Sequence, residues 1–302
     1  MGAAVYRLQP PQGDDMKLTN KLGLPDALVA AITNDDYSRG ENDISVTQLI
    51  APPRKIVLEQ RHADEIEEDA ADRIWLLMGK IAHGILEKAA STGVREQRLF
   101  TTIGGLKISG AFDHLSLEDG CLSDYKVTSV WSVKNAPEKA EWVEQLNCYA
   151  YLAREAGYDV KSLRIVAICR DWRMSDATKY AGDGYPQYQV AVLPLPLWQT
   201  GKQYDYLLER ATLHREARDY ASDDLPECSA EERWEKPGGW ALMKPGAQRA
   251  TRILQDEDEA RKLARATKDM TVVHRPGVST RCESYCAAAP FCSQAQKGKV
   301  AA

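Results

Sequence analysis

Six side chains within one stretch of the chain carry groups that can hold a metal ion and act on a phosphate: His83, Asp113, Asp124, Lys126, Gln145 and Tyr149. His83 follows Gly79 in an apolar stretch with helical spacing, and Asp113 closes the run Gly110-Ala111-Phe112-Asp113. Asp124-Tyr125-Lys126 comes next, then Gln145 and Tyr149, four residues apart. Residues two apart on a strand face one side, so Asp124 and Lys126 project together while Tyr125 projects away. If 106–112 and 121–127 pair as successive strands, Asp113 lies near that pair. Two carboxylates brought together repel, and burying them is costly unless a cation sits between them. Oxygen ligands with water in the shell suit Mg²⁺ or Mn²⁺, and a nitrogen ligand from His83 favours Mn²⁺. An ammonium beside them, that of Lys126, holds a water or neutralises charge building on phosphorus. Gln145 and Tyr149 share a helix face and can bond a phosphate or position the lysine. An activated water, a Lewis acid and a charge stabiliser are the parts that phosphodiester hydrolysis requires.

Each feature alone has a plainer reading. Asp-x-Lys on a strand is usually surface charge, a histidine on an apolar helix is usually a satisfied core residue, and Gln-x-x-x-Tyr is usually a helix face. It is their order and secondary-structure context that single them out. Residues 59–90 carry apolar positions every three or four residues, including Ile74, Leu77, Met78, Ile81, Ile85 and Leu86, and predict a long helical stretch in one or two pieces. Strands are expected at 96–102, 106–112 and 121–127, with turns at Gly104-Gly105 and Asp119-Gly120, as an antiparallel meander. A helix over 137–156, strands at 163–169 and 188–195 and a helix over 198–220 follow. The expected fold is α/β, a restriction-endonuclease-like core with a mixed central sheet flanked by helices, plus a small cysteine-containing C-terminal module.

The set resembles the RecB-type branch of the PD-(D/E)xK nucleases, which includes the nuclease domains of RecB and AddB, CRISPR-associated RecB-like exonucleases and phage exonucleases. The family pattern, Gly-x-x-x-His, Gly-x-x-Asp, (Asp/Glu)-x-Lys and Gln-x-x-x-Tyr, is met here by Gly79 to His83, Gly110 to Asp113, Asp124-Tyr125-Lys126 and Gln145 to Tyr149. The resemblance covers residues 45–200. It implies that His83, Asp113 and Asp124 bind Mg²⁺ or Mn²⁺ with the backbone carbonyl of Tyr125, and that Lys126 assists the attacking water. It also places Glu96 where related enzymes often carry another acid. Asp124 stands where glutamate is more usual, a shorter reach that bears on metal preference. The implied function is metal-dependent hydrolysis of DNA, as an exonuclease in recombination, repair or phage DNA processing, with DNA and a recombination or replication protein as partners. No helicase P-loop is present, so a motor would be a separate chain. Two other classes compete: a non-catalytic nucleic-acid-binding or assembly protein that keeps the fold, against which the intact acids and lysine speak, and an unrelated metal hydrolase, for which five histidines are few.

Cys282, Cys286 and Cys292 fall within eleven residues, and thiolates bind soft or borderline metals. Three ligands need a fourth, and Cys228 opens the same module. Four thiolates suit Zn²⁺ or a [4Fe–4S] cluster. Some RecB-type nucleases staple their fold with an iron–sulfur cluster whose last ligands end in an aromatic-Cys pair, as Phe291-Cys292 does; their fourth cysteine precedes the histidine motif. This chain has no cysteine before Cys121, so Cys228 must substitute or the site is of another kind. Cys121, Cys148 and Cys169 are expected to be buried core residues.

The chain has 302 residues, 44% hydrophobic and 27% charged, with net charge −5. That balance argues against bulk electrostatic coating of nucleic acid but not against an enzyme whose metals restore positive potential at the phosphate. No apolar run approaches the roughly 20 residues that span a bilayer, and a cytoplasmic location without membrane contact is expected. The expected domains are a weakly structured segment over 1–44, with breakers at Pro10-Pro11 and at 38–42 and a short helix at 26–32, a catalytic core over 45–225, in which 45–50 can enter a helix that Pro52-Pro53 interrupts, and a hairpin-and-helix module over 226–302.

Overall fold

Pairs of residues that tolerate left-handed backbone build the centre of the fold. Gly104 and Gly105 turn with φ of 60° and 80°, and Gly120 with φ of 68°, values that cost glycine nothing. The computed structural model describes residues 5–7, 17–33, 41–89, 92–134, 139–267 and 269–300. In chain order the elements are β1 (Val5–Arg7), β2 (Lys17–Thr19), α1 (Asp26–Thr33), β3 (Ile44–Ser45), α2 (Val46–Leu49), α3 (Pro53–Arg61), β4 (Glu67–Asp69) and α4 (Ile74–Ala89). Next come β5 (Val94–Ile103), β6 (Leu106–Leu115), β7 (Cys121–Thr128), α5 (Val130–Lys134), α6 (Ala140–Glu155), β8 (Ser162–Cys169), α7 (Met174–Lys179), β9 (Val190–Leu195) and α8 (Thr200–Ala217). The last are β10 (Glu235–Lys236), β11 (Gly239–Met243), β12 (Arg252–Leu254), α9 (Glu257–Ala266), β13 (Thr271–Arg275), β14 (Val278–Ser279), α10 (Thr280–Ser284) and α11 (Ser293–Val300). The chain forms two compact units, Met1–Ala51 with Ala63–Asp219, and Pro52–His62 with Tyr220–Ala302.

The first unit is mixed α/β around a sheet of order β3-β6-β7-β8-β9, with β5 also on β6. The expected meander is present: β5 and β6 are antiparallel, as are β6 and β7. β7 and β8 are parallel, joined through α5 and α6, and β9 returns antiparallel to β8. One edge of β6 carries β5 along its length. The other edge is shared, with β3 on residues 108–109 and β7 on residues 114–115. Between them, residues 110–113 have no strand partner on that side, and the sheet opens there. The core beneath holds Ile108, Phe112, Leu122, Leu146, Leu152 and Ile165, and Cys121, Cys148 and Cys169 are buried as expected.

The structure departs from the sequence reading in several elements. Within 1–44, expected to be weakly structured apart from a short helix at 26–32, α1 takes the place of that helix and β2 is added, and Leu18, Val29 and Ile32 pack with Ala70 and with Ile74 and Leu77 of α4. The breakers around Pro10 and Ser38 lie outside the described residues. The stretch 59–90 is helical in two pieces, the end of α3 and α4: between them Asp69 accepts hydrogen bonds from Thr19 Oγ1, the Lys21 amide and the Ala71 amide, and these bonds hold β4 and a 3₁₀ turn. Pro53, read as a break, starts α3 at a position where a missing N–H costs nothing. α3 accordingly belongs to the second unit and not to the core over 45–225. Finally, the apolar periodicity of α4 does not mark burial. Trp75, Leu76, Met78, Ile81 and Ile85 are all exposed.

The second unit is a small antiparallel sheet, β12-β11-β13, covered by α9, with the short pair β10 and β14 beside it in sequence. The expected hairpin is β11 with β12. Asp256 caps α9 by accepting from the Glu259 amide at 2.7 Å. No helix among the described residues is long and apolar enough to cross a membrane.

Candidate metal and phosphate site

The site assembles where β6 and β7 part. The ladder leaves the Tyr125 amide without a partner on the β6 side, and the Asp113 carboxylate takes it, Oδ2 accepting at 2.6 Å. The other oxygen, Oδ1, lies 3.3 Å from Nδ1 of His83, delivered by α4. Glu96 Oε1 approaches the same nitrogen at 3.5 Å. His83, Glu96 and Asp113 thus offer one nitrogen and two carboxylate donors within 4.8 Å of one another. This mixed nitrogen and oxygen set fits Mn²⁺ or Mg²⁺ with water completing the shell.

Glu96 stands directly opposite Asp113: Arg95 pairs with His114 and Gln97 with Phe112, so the β5–β6 register carries no extra residue and sets the two acids side by side. The φ of Glu96 is +43°, a left-handed conformation that costs a non-glycine residue roughly 1–2 kcal/mol. Strain of this kind persists only where the surroundings over-determine it. We expect Glu96→Gly to leave the melting temperature of the metal-free protein undiminished while Mn²⁺ affinity falls at least about tenfold. A lower melting temperature with unchanged affinity would show the role of Glu96 to be purely structural.

Asp124 is buried, only 2% exposed, and sits apart from that triad. Lys126 Nζ lies 2.8 Å from its Oδ2 but donates to Oδ1 at 3.1 Å, so Oδ2 has a cation beside it and no hydrogen-bond donor aimed at it. Burial pushes the Asp124 carboxyl upward, Lys126 opposes this, and the negative charge of Asp113 adds to it. A buried, incompletely satisfied carboxylate beside three metal donors is a second indication that a cation belongs here. Lys126 also donates to Gln145 Oε1 at 3.1 Å, and Gln145 Nε2 donates to the Tyr149 hydroxyl at 2.9 Å. Lysine can only donate, so the amide oxygen must face it and the amide nitrogen must face Tyr149. Gly110 is needed for this packing: a Cβ there would stand 2.9 Å from the Tyr149 ring. Gly79, by contrast, has nothing within 4 Å of where a Cβ would be, and the structure gives no reason for glycine there.

The sequence-derived residues therefore fall into two touching groups, His83, Asp113 and Glu96 on one side and Asp124, Lys126, Gln145 and Tyr149 on the other. Glu96, carried over only by resemblance, is in the tightest donor set, and Asp124 is not. Of Tyr125, it is the amide and not the carbonyl that meets Asp113.

Held first by Asp113 and then by Glu96, and against its partial burial, the His83 imidazole is pushed up to about 10. The sign follows from linkage: its contribution to stability is full below the ordinary value of 6.5 and is lost as pH rises through about 10. A metal ligand must be neutral imidazole, so binding Mn²⁺ should release about one proton near neutral pH and tighten as pH rises. Calorimetry in buffers of different ionisation enthalpy reads this directly, and binding without proton release would remove His83 from the ligand set.

In the second unit the four tail cysteines are neighbours. Burial first, then Glu232, then the charges of Cys292, Cys282 and Cys286 push the Cys228 thiol up to about 12. No three of the four sulfurs lie within 4.8 Å of one another. Arg54 of α3, missed in the sequence, is 2% exposed and donates through Nε to Cys292 Sγ at 3.2 Å, through Nη2 to Ser293 Oγ at 2.7 Å and through Nη1 to the Leu225 carbonyl.

No protein-family model matches the chain, and no curated protein matches it. Among solved structures, one recorded as "Crystal structure of SSO0001" matches with a TM-score of 0.40 at 20% identity, over 61% of this chain and 82% of that one. A likeness this slight carries no argument about function.

Proposed function

We propose that the chain is a metal-dependent nuclease that hydrolyses DNA phosphodiester bonds, an exonuclease of recombination, repair or phage DNA processing, akin to the RecB-type branch. The observation that carries this reading is the meeting of His83, Glu96 and Asp113 within 4.8 Å, next to the chain Asp124–Lys126–Gln145–Tyr149. A bound Mg²⁺ or Mn²⁺ supplies a Lewis acid for the phosphoryl oxygen and lowers the pKa of its water. The rest falls to the protein. Asp113 orients against the Tyr125 amide and keeps its second oxygen for the metal. Lys126, held between Asp124 and Gln145, presents its ammonium to the water and to the charge growing on phosphorus. Tyr149 fixes the amide that holds the lysine.

For the four cysteines we favour a [4Fe–4S] cluster over zinc, because the Phe291-Cys292 ending resembles that of the iron–sulfur nucleases. Cys228 is the fourth ligand in this reading, and the centre staples the second unit without entering the chemistry. Partners would be DNA and a recombination or replication protein that supplies any motor. The test is cleavage of end-labelled linear and of circular DNA with Mg²⁺ or Mn²⁺: short products from linear ends with circles spared support an exonuclease, nicked circles an endonuclease, and neither product rejects the reading.

A further inference from the structure

We propose that single-stranded nucleic acid is bound along a track of exposed indoles and paired cations just beyond Lys126. This rests on the nuclease reading of the site and names the form of substrate that the site takes.

Trp75, in the first turn of α4, is 53% exposed, and the Arg170 guanidinium lies over its ring at 4.2 Å. Trp131, on α5, is 64% exposed, with Lys134 Nζ at 5.6 Å from its ring centre. Both pairs gather at the ends of the two strands that lead out of the site. β7 carries Lys126 and ends at Thr128, whose carbonyl accepts from the Arg170 amide at 2.9 Å. The Val130 amide, one residue before Trp131, donates to Asp171 Oδ1 at 2.7 Å. Two strand residues span ~7 Å, about one nucleotide of extended backbone beyond the lysine. Lys139 is near enough to Lys126 to feel its charge: its ammonium is lowered by burial first, raised by Glu141 and lowered again by Lys126.

The chemistry selects the occupant. The chain as a whole is acidic, at net −5, yet each of these two indoles carries a cation over its ring. Asp171, the acid between the two pairs, is engaged with the Val130 amide. An exposed indole with a cation over its ring is a platform for an unpaired base whose phosphate meets the cation. Duplex bases hide their faces in the stack and cannot use it. An apolar protein surface would match the indoles but leave the cations without partners.

The experiment measures binding of wild type, in EDTA so that nothing is cut, to a fluorescein-labelled oligo(dT), to an abasic oligomer of equal charge and to a hairpin duplex. The Trp75→Ala/Trp131→Ala double variant is measured alongside, and both side chains are exposed enough for it to fold. We expect oligo(dT) to bind at least tenfold tighter than the abasic oligomer and the duplex, and the double variant to lose roughly 10- to 100-fold of that affinity. Hydrolysis of bis-p-nitrophenyl phosphate with Mn²⁺, a substrate too small to reach the indoles, should be unchanged in the double variant. Equal binding of oligo(dT) and the abasic oligomer, or undiminished binding by the double variant, overturns the track even with that hydrolysis intact. So does loss of self-association in the double variant with binding unchanged, which would make the indoles a protein interface. Failure of the wild type to hydrolyse the small diester, with oligo(dT) binding as expected, counts against the nuclease reading and not against the track.

Discussion

Lys126→Ala should cut phosphodiester cleavage roughly 100- to 1,000-fold while Mn²⁺ binding stays within about threefold of wild type. The proposed donors to the ion are His83, Glu96 and Asp113, and the lysine is not among them. Its ammonium is held instead by Asp124 and Gln145, 3.1 Å from an oxygen of each. Removing it leaves Asp124 buried with no cation, and the carboxyl, already pushed upward by burial, takes up a proton and so becomes neutral. The fold should survive because Asp124 has that escape. The measurement is cleavage rate against Mn²⁺ affinity by calorimetry in the same preparations. Equal cleavage by variant and wild type would reject the role given to Lys126, and a parallel loss of Mn²⁺ binding would make it structural support for the metal.

The second large effect concerns the tail. Protein purified without oxygen should be brown and carry about four irons and four sulfides per chain. Cys228→Ser should lose the colour and lower the melting temperature of the second unit. Arg54→Leu should cost about 3–5 kcal/mol, because it strips Cys292, Ser293 and the Leu225 carbonyl of one buried donor set. One zinc per chain in place of iron would overturn the cluster. If neither metal is present and Cys228→Ser is as stable as wild type, the cysteines are packing residues.

The parts of the fold that could be read in the sequence were those set by local rules. The meander is written in Gly104-Gly105 and Asp119-Gly120, and the α6 stop in Gly157, which has φ of 89°. Strand parity put Asp124 with Lys126, and helical spacing put Gln145 with Tyr149. What stayed hidden depends on contacts far apart in the chain. Pro53 reads as a breaker until it is seen at the first position of α3. Glu96 is set opposite Asp113 by the β5–β6 register, and it meets His83 only once α4 has packed against the sheet. Its one local signal would have been an acid in a strand register next to Asp113, too common to weigh. Arg54 meets Cys292 across 238 residues, so no window of sequence contains the pair. The apolar periodicity of α4 read correctly as helix, but Met78, Ile81 and Ile85 face outward, and periodicity alone cannot tell a core from an exposed face.

The most direct test of the central claim is the metal dependence of DNA cleavage by wild type and by Asp113→Ala, assayed together on end-labelled single-stranded DNA. Asp113 touches both His83 and the strand bearing Lys126, the latter through the Tyr125 amide. Wild type should be silent in EDTA, gain activity as Mn²⁺ or Mg²⁺ is added and reach a plateau, while Asp113→Ala stays at background across the titration. Cleavage that survives EDTA, cleavage by Asp113→Ala at the wild-type rate, or a folded wild type that cuts with neither metal would contradict it.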